Sequence, residues 1–215
     1  MSNKDNNPHP PRPALATRVD ELRAALQQIP VNLLAKRTGA GYQAIGQGRG
    51  EFHLSLFDSP VVVTYPGLIG YGTKEEELPL PSQAVLVYYF YTSDGSILTG
   101  NWVSFADLPD GRIYNPAFQG YSGDEIARIF SLDLDAFQST CEKGGGVATV
   151  LGDSAYIFHA LPRLPLLVNY WCGDEEFPST CKILFDRSAN HYLPTDVCAI
   201  LGSMLTRKII KNAFV

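Results

Sequence analysis

The sequence lacks an excess of basic residues and contains few charged residues of either sign. Its 215 residues include 17 Lys and Arg against 22 Asp and Glu, which leaves a net charge of −5, and 18% of the residues are charged. Because a negatively charged chain is repelled by a phosphate backbone, nucleic acid is a poor candidate partner. The 45% of hydrophobic residues is typical of a folded globular protein, and the length fits one domain.

A long hydrophobic run is also missing. No window reaches the roughly 18 apolar residues that a membrane helix needs. The opening stretch MSNKDNNPHPPRPA contains no apolar segment of the kind found in signal peptides. We therefore expect a cytoplasmic protein without a membrane partner, with a flexible tail over residues 1–14 and a single α+β domain over residues 15–215.

Cysteines are few, and none belongs to a C-x-x-C pair. The four cysteines, Cys141, Cys172, Cys181 and Cys198, therefore lack the spacing that holds zinc or an iron–sulfur cluster. In a protein without an export signal, free buried thiols are the expected state.

Signatures of common catalytic sites are missing as well. The glycine-rich stretch 46–50 lacks the third glycine of a dinucleotide-binding loop and leads into a strand pattern. Ser122 stands in the order G-Y-S-G, which is not the spacing of a nucleophile elbow. The four histidines share no metal-ligand spacing, so motifs assign neither a reaction nor a cofactor to the chain.

The first third of the chain contains clear helical and strand patterns. Apolar residues at steps of three and four predict a helix over 19–29 with Thr17 as its N-cap. A short helical turn over 32–37 is expected to end at Gly39. Alternation in FHLSL and in VVVTY, with a turn at 58–60 between them, predicts a β-hairpin.

The middle of the chain favours helices. The apolar run 84–91 fits a buried strand or a buried helix, and we favour the helix because Pro81-Ser82 resembles a helix start. The S-x-x-E spacing of Ser122 and Glu125 predicts a capping box and a helix after it. A further helix is expected over 134–143, before three glycines.

The last third predicts three antiparallel strands, over 156–160, 164–172 and 181–186, and a closing helix after Pro194. The fold class is therefore α+β, with antiparallel strands and with N-terminal, central and C-terminal helices.

One strand register follows if Cys172 lies opposite Cys181. Tyr170 then faces Ile183 and Val168 faces Phe185, so every predicted pair is apolar. The run GDEEFPST between the strands becomes a hairpin connection. The two cysteines would be cross-strand neighbours, close enough for an oxidative bridge but reduced in a cytoplasmic protein.

Two stretches contain candidate functional residues. The first is the aromatic segment 100–118, which we expect to be an irregular loop; Trp102, Arg112 and Tyr114 could line a pocket there, or the rings could fill the core. The second is the stretch 185–196, which leads into the closing helix. Its acidic and imidazole groups include Asp186 and His191, which could serve a ligand or could be local turn and cap groups.

The chain resembles a known family at these stretches. The motifs TGNWVSFADLPDGRIYNPAF and GDEEFPSTCKILFDRSANHYLPTD, with LPRLPLL between them, look like those of a prokaryotic family catalogued as domain of unknown function 3786. The matching positions include Trp102, Arg163, Glu175, Glu176 and Asp186. The resemblance implies no established activity. It implies that some relatives carry a cysteine-rich iron–sulfur segment, which is absent here.

Three functions from different classes remain open. We expect a noncatalytic ligand-binding or accessory protein, for a redox or cofactor-dependent partner, whose ligand is a small molecule or a protein. The alternative is a carboxylate-based hydrolase, with or without an assisting metal ion, that uses Glu175, Glu176, Asp186 or His191. A structural subunit of a complex is the third. Neither catalytic residues nor a cofactor can be assigned, and the candidate contacts are Trp102, Arg112, Tyr114, Arg163, Glu175, Glu176, Asp186 and His191.

Overall fold

The computed structural model describes residues 12–214, and the predicted tail over 1–14 falls mostly outside this range. The helices are α1 (Arg12–Leu26), α2 (Val31–Thr38), α3 (Leu80–Thr92), α4 (Gly111–Tyr121), α5 (Gly123–Phe130), α6 (Leu134–Lys143) and α7 (Thr195–Ala213). The strands are β1 (Gly41–Gly46), β2 (Arg49–Leu56), β3 (Ser59–Tyr65), β4 (Gly70–Tyr71), β5 (Trp102–Ser104), β6 (Val147–Thr149), β7 (Ser154–Leu161), β8 (Leu164–Trp171) and β9 (Thr180–Asp186).

The strands form two antiparallel sheets. One has the order β1-β2-β3-β4 and the other the order β5-β9-β8-β7-β6. Together with the helices they make an α+β fold, as the sequence predicts. The N-terminal hairpin and the three late strands therefore belong to different sheets, and β1, β4, β5 and β6 are strands that the sequence patterns did not indicate.

Helices α3 and α7 contact each other and connect the two sheets. Phe90 of α3 packs on Phe52 of the four-stranded sheet, with ring centroids 4.8 Å apart. On α7, Gly202 lies beside Phe118 and Phe185, so this helix approaches the five-stranded sheet closely. Helix α3 is apolar on all sides because every side is covered by protein, which confirms the helical interpretation of residues 84–91.

Most N-terminal predictions are confirmed, with one correction. The β2–β3 hairpin forms, and α2 ends at Gly39, which adopts a left-handed φ of 73°. Thr17, however, is not an N-cap, because α1 already begins at Arg12. The residues before Thr17 include Ala and Leu, which are strong helix formers, and Leu15 adds a buried side chain to the core.

Two predictions for the middle of the chain are wrong. Residues 100–118 are not an irregular loop, since they form β5, a 3₁₀ turn (Phe105–Asp107) and most of α4. Ser122 forms no capping box either. Its hydroxyl donates to the Phe118 carbonyl at 2.5 Å, because Ser122 lies between two helices and satisfies the end of α4 instead of the start of α5.

The predicted register of the late strands is wrong by two residues. Tyr170 lies opposite Cys181, and Val168 lies opposite Ile183. A shift of two leaves every side chain on the same face of the sheet, so both registers pair apolar residues and the pattern cannot distinguish them. Cys172 and Cys181 are therefore not opposite each other, and all four cysteines are free.

Within residues 12–214, no helix has the length and apolar character needed to cross a membrane.

Candidate functional site

Candidate residues lie at two opposite ends of the five-stranded sheet. Trp102 begins β5 opposite Asp186, the last residue of β9, and Arg163 directly precedes β8. His191 follows in a 3₁₀ turn (Ala189–His191). We call this end of the sheet, with Trp102, Arg163, Asp186 and His191, the Arg163 end. Residues 172–179 connect β8 to β9 at the opposite end, which we call the hairpin end.

Asp186 is a buried carboxylate that accepts five hydrogen bonds from the protein. Its Oδ1 atom accepts hydrogen bonds from the backbone N–H and hydroxyl groups of Thr99 and Ser188, at 2.6–3.1 Å. Its Oδ2 atom accepts from Gly100 N–H at 2.7 Å. Burial raises the pKa of Asp186, but the hydrogen bonds from Ser188, Thr99 and Gly100 outweigh it and leave the pKa below its ordinary value. Asp186 thus anchors a loop and is poorly suited to accept a proton.

His191 is paired with Asp94 at the surface of the Arg163 end. Its Nδ1 atom lies 2.7 Å from Asp94 Oδ2, and both side chains are about half exposed. Hydrogen bonds from Ser96, and then from His191, lower the pKa of Asp94 to about 2. The pair therefore joins the loop after α3 to the 3₁₀ turn before α7.

Arg163 lies on a support of two buried tyrosines. The Tyr89 hydroxyl donates to the Thr38 carbonyl at 2.7 Å and accepts from the backbone N–H of Arg163 at 3.0 Å. Tyr192 stacks on Tyr89, with ring centroids 5.9 Å apart, and its hydroxyl donates to the Ser96 carbonyl. Burial raises the pKa of Tyr192, and the nearby Arg163 guanidinium partly opposes this effect.

The aromatic segment is divided between core and surface. Phe105 and Phe118 are buried and stack with ring centroids 4.2 Å apart. Trp102 is half-buried on β5, whereas Arg112 and Tyr114 lie on α4 and face solvent, with Tyr114 52% exposed. The segment therefore does not gather its candidate residues around one pocket.

The hairpin end contains Glu175 and Glu176, far from the other candidate acids. Strand β9, with seven residues, separates this end from Asp186 by about 20 Å. Asp174 organises the connection, because its Oδ1 atom accepts from the N–H groups of Glu176 and Phe177, each at 2.8 Å. Among residues 12–214, neither glutamate side chain has a hydrogen-bond or ion-pair partner, and Phe177 is 67% exposed. The role of Glu175 and Glu176 as ligand or partner contacts stays a prediction.

The buried thiols are poor nucleophiles. Burial raises the pKa values of Cys141, Cys181 and Cys198 well above the ordinary thiol value, so these groups stay protonated at neutral pH. Cys172 is half-buried, and its Sγ atom lies 3.6 Å from the Leu132 carbonyl oxygen.

A cleft of about 340 Å³ opens where the β2–β3 turn, the loop after β4 and helix α7 meet. Its apolar lining comes from Leu56, Phe57, Pro60, Val61, Leu78 and Met204, and its polar lining from Ser59, Thr73, Glu76 and Lys208, with Gly72 completing the set. The cleft therefore has an apolar floor and a rim with one cationic and one anionic side chain.

An unusual turn places Phe57 in this lining. Phe57 and Asp58 form the two-residue connection of the β2–β3 hairpin with φ values of 50° and 61°. Turns of this kind favour Asn and Gly, and a bulky residue with positive φ is strained. Phe57 is held there because its ring is buried and its N–H donates to Ala160 of the other sheet at 3.0 Å.

The sequence interpretation missed the cleft residues. Lys208 fits the basic end of the closing helix, and its spacing of four from Met204 is the only local signal that both face one side of α7. Phe57 and Leu78 come from distant parts of the chain, so no sequence pattern joins them to α7.

Metal-ligating side chains do not cluster. Within the described part of the chain, no group of three or more His, Cys, Asp and Glu could hold a metal ion. Asp186, the most buried of the candidate acids, already has five protein donors.

Comparison with known proteins places the chain in a family. No curated protein and no solved structure matches it. The family model described as domain of unknown function, DUF3786, matches residues 31–208, a segment that includes both sheets, the Arg163 end, the hairpin end and the cleft. Because the match spans well over half of the chain and confirms the resemblance of the sequence motifs, this protein belongs to the DUF3786 family.

Proposed function

We propose that this protein is a noncatalytic ligand-binding protein and that its cleft takes a small amphipathic anion. The observation that carries the proposal is Lys208, a half-buried cation at the rim of an apolar cleft that forms no ion pair with any residue of the described chain. Ligand sites typically combine an apolar lining with a few polar groups that fix orientation.

The size of the cleft limits the ligand. About 340 Å³ lies near the lower end of the roughly 300–1,000 Å³ of small-molecule sites. The apolar floor suits a short aliphatic or small aromatic body, which gains about 0.8 kcal/mol for each methylene group removed from water. This corresponds to a roughly fourfold gain in affinity per methylene until the cleft is full.

The rim charges favour an anionic head group. Glu76 accepts a hydrogen bond from the backbone N–H of Lys74 at 2.9 Å and lies against Gly72, so this carboxylate holds its own loop. Among the described residues, Lys208 has no such partner. A carboxylate on the ligand would give Lys208 a charge-assisted hydrogen bond that the protein does not supply.

The positions of the reactive groups support binding over catalysis. Of the described residues that line the cleft, none is a histidine or a cysteine. The hydrolase alternative needs Glu175 or Glu176 beside Asp186 or His191, but these pairs lie at opposite ends of β9. An accessory role toward a redox or cofactor-dependent partner, and a cytoplasmic location, stay predictions from the sequence.

A carboxylate series tests the proposal. Isothermal titration calorimetry would measure the binding of butyrate, hexanoate and octanoate, with the corresponding primary amides as neutral counterparts. We expect affinity to rise with chain length and each acid to bind more tightly than its amide. The Lys208→Met variant keeps an unbranched side chain but removes the charge, so it should lose the preference for acids and keep the chain-length dependence.

Lys211→Met is the matched control, because it removes an exposed lysine from the same helix. This variant should bind like the wild type. Equal binding of acids and amides by the wild type, or an unchanged acid preference in Lys208→Met, would contradict the proposal.

A further inference from the structure

Arg163 has a guanidinium group that the described residues satisfy only in part. Its side chain forms a hydrogen bond with Tyr192, but its Nε atom is buried and has no hydrogen-bond partner among residues 12–214. Arg163 also forms no ion pair with any carboxylate within residues 12–214. A buried donor without an acceptor is rare in native proteins and calls for a specific explanation, such as a bound ion or water.

The acidic residues near Arg163 are committed to other donors. Asp94 and Asp186 both lie close enough to raise the pKa of Tyr192, which Arg163 lowers. Asp94 pairs with His191 at 2.7 Å, and Asp186 accepts all of its hydrogen bonds from the Thr99, Gly100 and Ser188 region. Within the described part of the chain, the positive charge of Arg163 therefore lacks a matching counter-ion.

The surroundings hold Arg163 in a fixed position. Tyr89 and Tyr192 are fully buried, and Tyr89 accepts a hydrogen bond from the Arg163 backbone. At the end of α2, the Arg163 Nε atom lies 3.3 Å from the place that a Cβ on Gly39 would take. Arg37, two residues before Gly39, is a second half-buried arginine without an ion pair in the described chain. A guanidinium held in this way loses little entropy when it binds a ligand.

We infer that the Arg163 end is a binding site for an oxyanion, the carboxylate or phosphate group of a ligand, which the Arg163 guanidinium holds through parallel N–H···O bonds. This geometry is the one in which arginine recognises both groups most strongly. The hydrogen bond with the buried Tyr192 orients the guanidinium, and Arg37, in the last turn of α2, adds positive charge. The site is separate from the cleft at Lys208 and does not depend on the function proposed for it.

Inorganic phosphate and acetate are suitable probes. Thermal unfolding of the wild type would be followed as each anion is titrated, with chloride used to hold the ionic strength constant. We expect a saturable rise in the melting temperature. Saturation by phosphate alone assigns a phosphate group, saturation by acetate alone assigns a carboxylate, and saturation by both assigns the shared oxyanion geometry.

Four variants locate the effect. Arg163→Gln should weaken anion binding at least tenfold, and Arg163→Lys, which keeps a charge but not the fork of donors, should weaken it about threefold or more. Arg187→Gln is the matched control, because Arg187 is an exposed arginine next to Asp186, and it should bind like the wild type. Lys208→Met should also bind phosphate like the wild type, whether or not the cleft proposal holds.

Backbone amide shifts provide a second measurement if Arg163→Gln does not fold. In the wild type, phosphate or acetate should shift the amide signals of Gly39, Gly95 and Ser96 most strongly. The inference is overturned if neither anion gives a saturable response, if Arg163→Gln or Arg163→Lys binds within twofold of the wild type, or if the shifted amides lie elsewhere.

Discussion

Asp186 illustrates how a single buried charge can hold a surface loop. Its carboxylate receives five hydrogen bonds from Thr99, Gly100 and Ser188, which fix the segment after α3 against the end of β9. Burying a carboxylate is costly unless donors surround it, and the lowered pKa indicates that these donors outweigh the cost. The residue that resembled a candidate acid in the sequence is therefore a structural anchor.

Replacing Asp186 with Asn should destabilise the protein by about 3 kcal/mol, because one oxygen that accepts hydrogen bonds becomes an amide donor among other donors. Urea unfolding at pH 7 would measure the change. Asp107→Asn is the control. Asp107 caps a short turn by accepting from Ser104, but it is exposed, so its loss should cost no more than about 1 kcal/mol.

The contribution of Asp186 should also depend on pH. Since its pKa in the folded protein is lower than in the unfolded chain, the carboxylate stabilises the fold above the unfolded pKa of about 3.9. This stabilisation is lost as the pH falls through the folded pKa. The difference in unfolding free energy between the wild type and Asp186→Asn should therefore shrink below about pH 4, and a constant difference down to pH 2.5 would contradict this assignment.

At the hairpin end, Asp174 and not the two glutamates should determine local order. Asp174→Ala removes the acceptor for the N–H groups of Glu176 and Phe177, so amide hydrogen exchange at residues 174–177 should become faster. Glu175→Gln and Glu176→Gln should leave exchange and stability unchanged. Faster exchange in either glutamine variant would contradict this and show that the glutamates also order the connection.

Among the secondary-structure elements, the junction of α4 and α5 shows how closely helix and sheet approach. A Cβ on Gly123 would lie 2.1 Å from the Cys181 carbonyl oxygen of β9, so only glycine fits the first residue of α5. A Cβ on Gly120, three residues earlier in α4, would meet no described atom within 4 Å outside its chain neighbours and the nearby backbone of its own helix. The contact with β9 therefore requires glycine at position 123, whereas no such contact requires glycine at position 120.

This difference gives a paired prediction. Gly123→Ala should push α5 away from β9 and destabilise the protein by about 1–3 kcal/mol. Gly120→Ala should leave the packing intact and, because alanine favours helix, stabilise the protein by up to about 1 kcal/mol. Thermal unfolding of both variants would check the signs, and equal destabilisation by the two substitutions would show that helix geometry, not the contact with β9, is the cause.

On the scale of the whole protein, α3 and α7 give the two sheets a shared core. Leu201 and Leu205 of α7 are fully buried, and α7 contacts α3, which packs on the four-stranded sheet. A second connection runs directly between the sheets from Phe57 to Ala160. Loosening α7 should therefore affect both sheets together.

Leu205→Ala tests this coupling and the predicted single domain. The substitution should cost about 2–5 kcal/mol and leave one cooperative transition. Both tryptophans, Trp102 and Trp171, lie in the five-stranded sheet, so tryptophan fluorescence reports that sheet while far-ultraviolet circular dichroism reports the entire fold. The two unfolding curves should coincide in the wild type and in the variant. Separate midpoints would mean that the sheets unfold independently.

The amino-acid sequence determined most of the individual elements. Periodic apolar residues specify most of α1, α7 and the β2–β3 hairpin, because each pattern buries one face within a few consecutive residues. The same local information gave the α+β class and the family. Local sequence information predicted the wrong structure for segment 100–118, because its Gly and Pro residues disfavour a helix. Tertiary contacts such as the stacking of Phe105 on Phe118 stabilise the helix there.

Only the tertiary structure decided the register of β8 and β9 and the grouping of the candidate residues. A register shift of two keeps every side chain on its own face, so an apolar pattern cannot choose between the alternatives. At the Arg163 end, folding brings Arg163 close to Tyr89, Ser96, Asp186 and Tyr192. In the cleft, it brings Phe57 and Leu78 close to Lys208. Such sites arise from packing between segments distant in the chain, whereas sequence periodicity reports only which face of each segment is buried.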